Sequence, residues 1–318
     1  MNTLQTYQNL FRHQHWEIGV VSHPIQAFLD PDFEPVVNWM PGRPAKLFRA
    51  DPFLMPVGER RVILYEDFDY TSHVGRISAA EFDGERFHEL AIDALPADCH
   101  LAYPFTIRHN DEWFCIPETH QHNEIAAWKL DPQSFRLRKV ATLISGFPAV
   151  DSTVFQHNGL WWLACTRQDA QPLEKLHLWY ADDLFGSWQP HRRNPVKSDT
   201  SSSRPAGTPF THDGQLYRPA QDCSKRYGGA VVINRIVTLS PDTFEEENVR
   251  IVRPIREGPY SRGIHTLASF GDLTVVDGLR YAFIPGETWR VLKRGCCKLF
   301  RRSSRNHHKH PDERDDIG

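Results

Sequence analysis

Five short polar clusters recur along the chain, each opening a strand-turn-strand unit, and their spacing restricts the fold more than any other feature. They read Ala50-Asp51-Pro52-Phe53, Ala102-Tyr103-Pro104-Phe105, Val150-Asp151-Ser152-Thr153-Val154, Arg204-Pro205-Ala206-Gly207-Thr208 and Gly263-Ile264-His265-Thr266. Successive openings lie 48 to 61 residues apart. A period near fifty with β-rich content points to radial repetition, one blade per unit. The expected fold is all-β, a five-bladed β-propeller. In that geometry the first strand of each blade lines the axis, so the five clusters converge on one funnel.

The units carry their own strand and turn signals. Asn158-Gly159 and Asp213-Gly214 stand between apolar runs, and both pairs tolerate the positive φ of a tight hairpin. The flanking Val, Ile, Trp and Tyr residues favour pleated strands. No long stretch has helical periodicity.

At 318 residues and 40% hydrophobic, the chain can bury a substantial core. No linker interrupts the repeats, so one domain is expected over 16–289, after an N-terminal segment 1–15. Residues 290–318 turn basic and then acidic with few apolar residues, the composition of a disordered tail. Cys296-Cys297 lies amid its basic residues, where lipid attachment is the sharper reading and a solvated tail the favoured one. The net charge of −3 gives no argument for nucleic acid or an anionic membrane. The N-terminus lacks an apolar signal core, and no segment reaches membrane-spanning length, so a cytoplasmic location is expected. Six scattered cysteines lack zinc-site spacing and are expected to be reduced. Nine Trp and nine Tyr suit a carbohydrate surface, although the interior of a β protein takes most such rings.

Asp51 and Asp151 open the first and third units. Each either fixes a turn or pairs with an arginine such as Arg204, or else both carboxylates face the funnel and act on a sugar. Glycoside cleavage uses two carboxyl groups flanking the scissile bond. Glu118 ends a strand beside Pro117 and becomes a candidate general acid if burial raises its pKa; the alternatives are a solvated turn or an arginine's partner. The fourth unit is the densest, with Arg204, Arg218, Gln221, Asp222, Lys225, Arg226 and Tyr227. That set suits a polyhydroxylated ligand, and Arg204 or Arg226 could clamp a phosphate or carboxylate. The alternative is a hydrogen-bonded corner that closes the ring. His265 enters through its place in the repeat. No grouping has metal-ligand spacing, and neither metal nor cofactor is expected.

Several of these stretches resemble the N-terminal propeller of the glucosamine inositolphosphorylceramide transferase family. They are Trp16-Glu-Ile-Gly-Val, Ala50-Asp51-Pro52-Phe53, Ile116-Pro-Glu-Thr119, Asp151-Ser-Thr-Val-Phe155, Arg204-Pro-Ala-Gly207, Tyr217-Arg-Pro-Ala-Gln-Asp-Cys-Ser-Lys-Arg-Tyr227 and His265-Thr266. In plant members such a domain precedes a glycosyltransferase domain, for which this chain has no room. The resemblance therefore implies a carbohydrate or glycoconjugate ligand, with a glycosyltransferase as partner. More distantly, the pattern is similar to five-bladed family 43 glycoside hydrolases. There an Asp in the first blade is the base, an Asp in the third orients and tunes, and a Glu in the fourth is the acid. Asp51 and Asp151 fit the first two places, but the third falls near Arg204 or Ala206. Either Glu118 or Asp222 replaces the acid, the leaving group needs no protonation, or the domain only binds. An interaction scaffold for another protein is the third class of reading.

Overall fold

The computed structural model describes residues 11–92 and 99–293. The chain enters on β1 (His13–Val21) and β2 (Asn38–Trp39). Blade one follows as β3 (Leu47–Val57), β4 (Arg60–Asp69), β5 (Val74–Phe82) and β6 (Phe87–Leu90). Blade two is β7 (Ala102–His109), β8 (Glu112–Glu118), β9 (Glu124–Leu130) and β10 (Leu137–Ser145). Blade three is β11 (Ala149–His157), β12 (Leu160–Arg167), β13 (Lys175–Ala181) and β14 (Gln189–Pro190), with β15 (Lys197–Ser198) also on β13. Blade four is β16 (Phe210–His212), β17 (Gln215–Asp222), β18 (Ala230–Leu239) and β19 (Phe244–Val252). The last sheet joins β20 (Leu267–Phe270) and β21 (Leu273–Ala282) to the first two strands, in the order β2-β1-β21-β20. The expected five-bladed β-propeller is thus the fold, and strands from both ends of the described chain complete its fifth blade.

Hairpin chemistry sets the strand register. Asn158-Gly159 and Asp213-Gly214 have positive φ at both positions, and Asn110-Asp111 does the same in blade two. Such turns twist with the strands they join. Apolar faces of neighbouring blades then interlock. Met55, Val62 and Leu64 of blade one pack with Cys115, Ala126 and Trp128 of blade two. Phe155, Trp162 and Leu178 meet Leu216 and Ile236 across the next-but-one seam. Most of the tryptophans are therefore core residues, as Trp16, Trp128, Trp161, Trp162 and Trp188 are buried.

One irregularity repeats at the axis. The inner strands of blades one, two and three break register between Ala50 and Phe53, Ala102 and Phe105, and Val150 and Thr153. At each break a non-glycine residue adopts left-handed backbone: Asp51 at φ 52°, Tyr103 at 44° and Asp151 at 53°. This conformation costs about 1–2 kcal/mol per residue. A bulge re-aims the side chain that it carries, and here the same re-aiming occurs three times.

Among the described residues, those within 15–280 form one compact unit, and 11–14 with 281–293 form a second. In the second, 285–293 is helical, and Phe11 packs on Phe283 at 6.1 Å. The helix crosses the boundary expected at Arg290, so disorder does not begin there. The rest of the tail, with its paired cysteines, lies outside the described residues. Cys99, Cys115, Cys165 and Cys223 are buried, and the last three are free thiols. No helix among the described residues is long and apolar enough to cross a membrane.

Candidate functional site

The three bulges bring their side chains into one buried polar cluster. Asp51 accepts a hydrogen bond from Thr266 Oγ1 at 2.9 Å and has His265 Nε2 at 3.9 Å. His265 is fixed from behind, with Nδ1 donating to Asp277 Oδ2 at 2.5 Å. Asp277 also accepts from the backbone N–H groups of His265, Thr266 and Asp51. Trp16 stacks on the His265 ring at 4.0 Å and Tyr227 meets its edge at 5.2 Å. Burial alone would lower His265, but the charges of Asp277 and Asp51 more than offset it, so its pKa is raised. Asp51, His265 and Asp277 also place one ligand atom each within 4.8 Å of one another, although Asp277 is already saturated by these donors.

Across the axis Arg204 holds Asp151 with both arms, Nε to Oδ2 at 2.5 Å and Nη2 to Oδ1 at 3.1 Å. Gln221 adds a third donor to Asp151 at 2.9 Å. The guanidinium lies 5.3 Å above the Tyr227 ring. Burial pushes the Asp151 carboxyl up to about 7 even against Arg204, with the charges of Glu118 and Asp51 adding to the push. Tyr103, at the bulge between the two aspartates, does not join the charge. Its hydroxyl meets Thr153 Oγ1 at 2.8 Å and accepts from the Gly207 N–H at 2.7 Å, tying blades two, three and four.

Two further carboxyls complete the cluster, and register explains both. Ala50 pairs with Glu66, Ala102 with Glu118 and Val150 with Thr166. Each bulge residue is thus followed fifteen positions later by a side chain on the adjacent strand, Glu66, Glu118 or Thr166. Glu118 accepts from His120 Nδ1 at 2.7 Å. Burial pushes Glu118 up, but the His120 hydrogen bond and the charge of Arg204 outweigh it and leave the carboxyl below its ordinary value. That corrects the expectation of an acid raised by burial. Glu66 behaves in the opposite way. Burial raises it well above the carboxylate range, reinforced by the charges of Asp51, Glu118 and Asp151. His100 Nε2 lies 3.5 Å from it, while His100 Nδ1 accepts from the Gly75 N–H at 2.9 Å. A ring nitrogen that accepts carries no proton, so this imidazole is neutral.

The structure thus brings together Asp51, Asp151, Glu118, Arg204, Gln221, Tyr227 and His265 from the sequence expectations. It does not do so for the others. Arg218 is fully buried against Glu246, at 2.6 and 3.0 Å, and donates to the carbonyls of Ser202 and Ser203. These bonds take four of its five N–H groups and the side chain has no exposed surface, so Arg218 stands apart from the axial cluster, which corrects its placement among the binding residues. Asp222 closes a turn by accepting from Ser224 N–H and Oγ, which leaves it a poor candidate for the missing acid. Lys225 and Arg226 are exposed, and Arg226 donates to the Arg262 carbonyl. The cluster also contains Glu66, Asp277, His100 and His120, none of which the sequence reading named as a site candidate, although Asp277 stands in the Val276-Asp277-Gly278 stretch of the family resemblance. The fifteen-residue offset from Asp51 was the signal for Glu66.

Comparison with known proteins agrees with this architecture. A family model described as glucosamine inositolphosphorylceramide transferase 1, N-terminal, matches residues 37–259. The glucosamine inositolphosphorylceramide transferase 1 of Oryza sativa subsp. japonica is 32% identical over 253 residues, covering 73% of this chain and 33% of that protein. The chain therefore spans 27% to 33% of the length of the curated relatives it matches. Among solved structures, a family 117 glycoside hydrolase of the marine bacterium Zobellia galactanivorans superposes with a TM-score of 0.53 at 12% identity. It covers 86% of this chain and 91% of its own. An exo-β-1,3-galactanase from Clostridium thermocellum gives 0.50 at 13% identity, covering 74% and 67%. These two share the fold of the chain and nothing more specific. The family match and the rice relative go further, and on them the chain belongs to the family of the N-terminal domain of glucosamine inositolphosphorylceramide transferase 1.

Proposed function

We propose that the propeller recognises the sugar portion of a glycoconjugate at its axis and serves as a binding module for a glycosyltransferase. One observation carries this reading. The fourth-blade place that the family 43 resemblance reserves for a general acid falls near Arg204 or Ala206, neither of them a carboxylic acid, and Arg204 is locked onto Asp151. An arginine cannot deliver a proton to a leaving group at physiological pH, and an Asp151 that accepts three donors is built to stay in place. The membership of the family and the fold shared with glycoside hydrolases support a carbohydrate ligand. The cytoplasmic location belongs to the same proposal, and recovery of the full-length protein only with membranes would count against it.

A second reading has its own observation. Glu66 and Glu118 are pushed in opposite directions, one toward the neutral acid and one toward the carboxylate. Pairs separated in this way are how acid and base roles are divided at neutral pH. On this reading the axis performs glycosidase-like hydrolysis or transglycosylation, with Glu66 as acid and Asp51 or Glu118 as base. Calorimetric titration against a glycan panel, run beside turnover assays on the same compounds, separates the two. Binding without turnover supports the module, and turnover abolished by Glu66→Gln supports the enzyme. Folded protein that neither binds nor cleaves any glycan would leave an interaction scaffold and overturn both.

A further inference from the structure

The second compact unit, 11–14 with 281–293 among the described residues, carries an apolar surface that the axial cluster does not use. Phe11, Tyr281, Phe283, Trp289, Val291 and Leu292 are all exposed, six of the thirteen large apolar side chains exposed among the described residues. Trp289 is the most open of the six, at 61%. In the helix 285–293, Thr288 and the Ile284 four residues before it fall on the buried side. Trp289 and Leu292 stand three apart on the exposed side, where that spacing makes side chains neighbours. Lys293 Nζ lies 5.4 Å above the Trp289 ring, so a cation borders the apolar face.

Charge indicates what covers this face. From Arg290 to Lys309 the sequence has eight Lys and Arg residues and no Asp or Glu. The net charge of −3 conceals this run, because acidic residues elsewhere cancel it. Val291, Leu292, Leu299 and Phe300 are interleaved with the cations. A nucleic acid would use the cations and leave the aliphatic side chains in water. An anionic bilayer uses both, since its headgroups attract Lys and Arg while the headgroup boundary takes Trp and Leu.

We propose that the helix 285–293 and the basic run after it dock on an anionic lipid surface. Trp289 and Leu292 enter the headgroup boundary, and Lys293 is among the cations that meet the lipid headgroups. Docking here is independent of what the axis binds, and it requires no lipid on Cys296-Cys297. Attachment through side chains alone is reversible and screened by salt, so a soluble pool persists beside the bound one, in keeping with the location proposed above.

The experiment is co-sedimentation of the full chain with vesicles of phosphatidylcholine alone and of phosphatidylcholine with about one quarter phosphatidylserine. Binding to the neutral vesicles is expected to be at least about ten-fold weaker, and raising salt from about 0.1 M to about 0.5 M should release the protein from the mixed ones. Brominated lipid should quench tryptophan emission, and Trp289→Phe should remove that quenching. Trp289→Ala/Leu292→Ala and Lys293→Glu/Arg294→Glu should each weaken binding at least about ten-fold. Trp289, Leu292 and Lys293 are exposed, so circular dichroism should be unchanged in both. Absence of binding, equal binding to the two vesicles, or binding that survives Trp289→Ala/Leu292→Ala would overturn the proposal. Retention on polyuridylate RNA with none on vesicles would make the run a nucleic-acid contact and overturn it too. So would a chain cut after Lys293 whose tryptophan emission moves to longer wavelength without vesicles, since the face would then be covered by this chain's own tail.

Discussion

Arg204 and Asp151 are each tolerable in the interior because of the other. Replacing Arg204 by Met leaves a buried carboxylate with Gln221 as its remaining side-chain donor. The expected loss is about 3–5 kcal/mol in urea unfolding, as for other broken buried pairs. The double variant Arg204→Met/Asp151→Asn should recover most of that loss; a double variant as weak as the single would show that the pair is not coupled. The raised pKa of Asp151 adds a pH dependence with a definite sign. A carboxyl that holds its proton more tightly when folded contributes stability that is present below its unfolded range and is lost as pH rises toward its folded value of about 7. The unaltered protein should therefore lose stability relative to Asp151→Asn between about pH 4 and pH 7, and a flat difference across that window would refute the assignment.

Among the elements, the inner strands carry both the strain and the axial polar cluster. Asp tolerates left-handed backbone because its short polar side chain bonds locally, whereas Tyr103 gains no such relief. Tyr103 is held by hydrogen bonds to two other blades. One of those bonds receives Gly207, where the chain of blade four passes β20 so closely that a Cβ would overlap the Leu267 carbonyl. Gly207 has φ +129°, while Gly146 has φ +76° and nothing near its missing Cβ. Gly207→Ala should cost at least about 2 kcal/mol more than Gly146→Ala, since only the former adds overlap with backbone to left-handed strain. Equal losses in melting experiments would mean that the close approach is unimportant.

For the whole molecule, closure depends on β1, which lies between β21 and β2 in the fifth sheet. It also supplies Trp16, the ring stacked on His265. Ile18, buried at 1% exposure, faces the core from this strand. Ile18→Asp should destabilise the propeller by at least about 3 kcal/mol, because an uncompensated charge enters an apolar site. The loss should appear in one cooperative transition, with circular dichroism and tryptophan fluorescence falling together. Separate transitions would show that the ring stays intact without its closing strand.

The period of the five clusters, together with Asn158-Gly159 and Asp213-Gly214, determined the blades and their number, because turn chemistry and alternation act within a few residues of each other. The same repeat placed Asp51, Asp151, Arg204 and His265 at equivalent strand starts and so at the axis. Tertiary structure alone decided what each does there. Whether Arg204 meets a ligand or Asp151 depends on a contact fifty-three residues away, and Arg218 is withdrawn by Glu246 on another strand. Glu66 could have been reached through its fifteen-residue offset, but the rise of its pKa could not. That rise is set first by burial and then by the charges of Asp51, Glu118 and Asp151, and both burial and Coulomb energy depend on distances in space that no sequence spacing records.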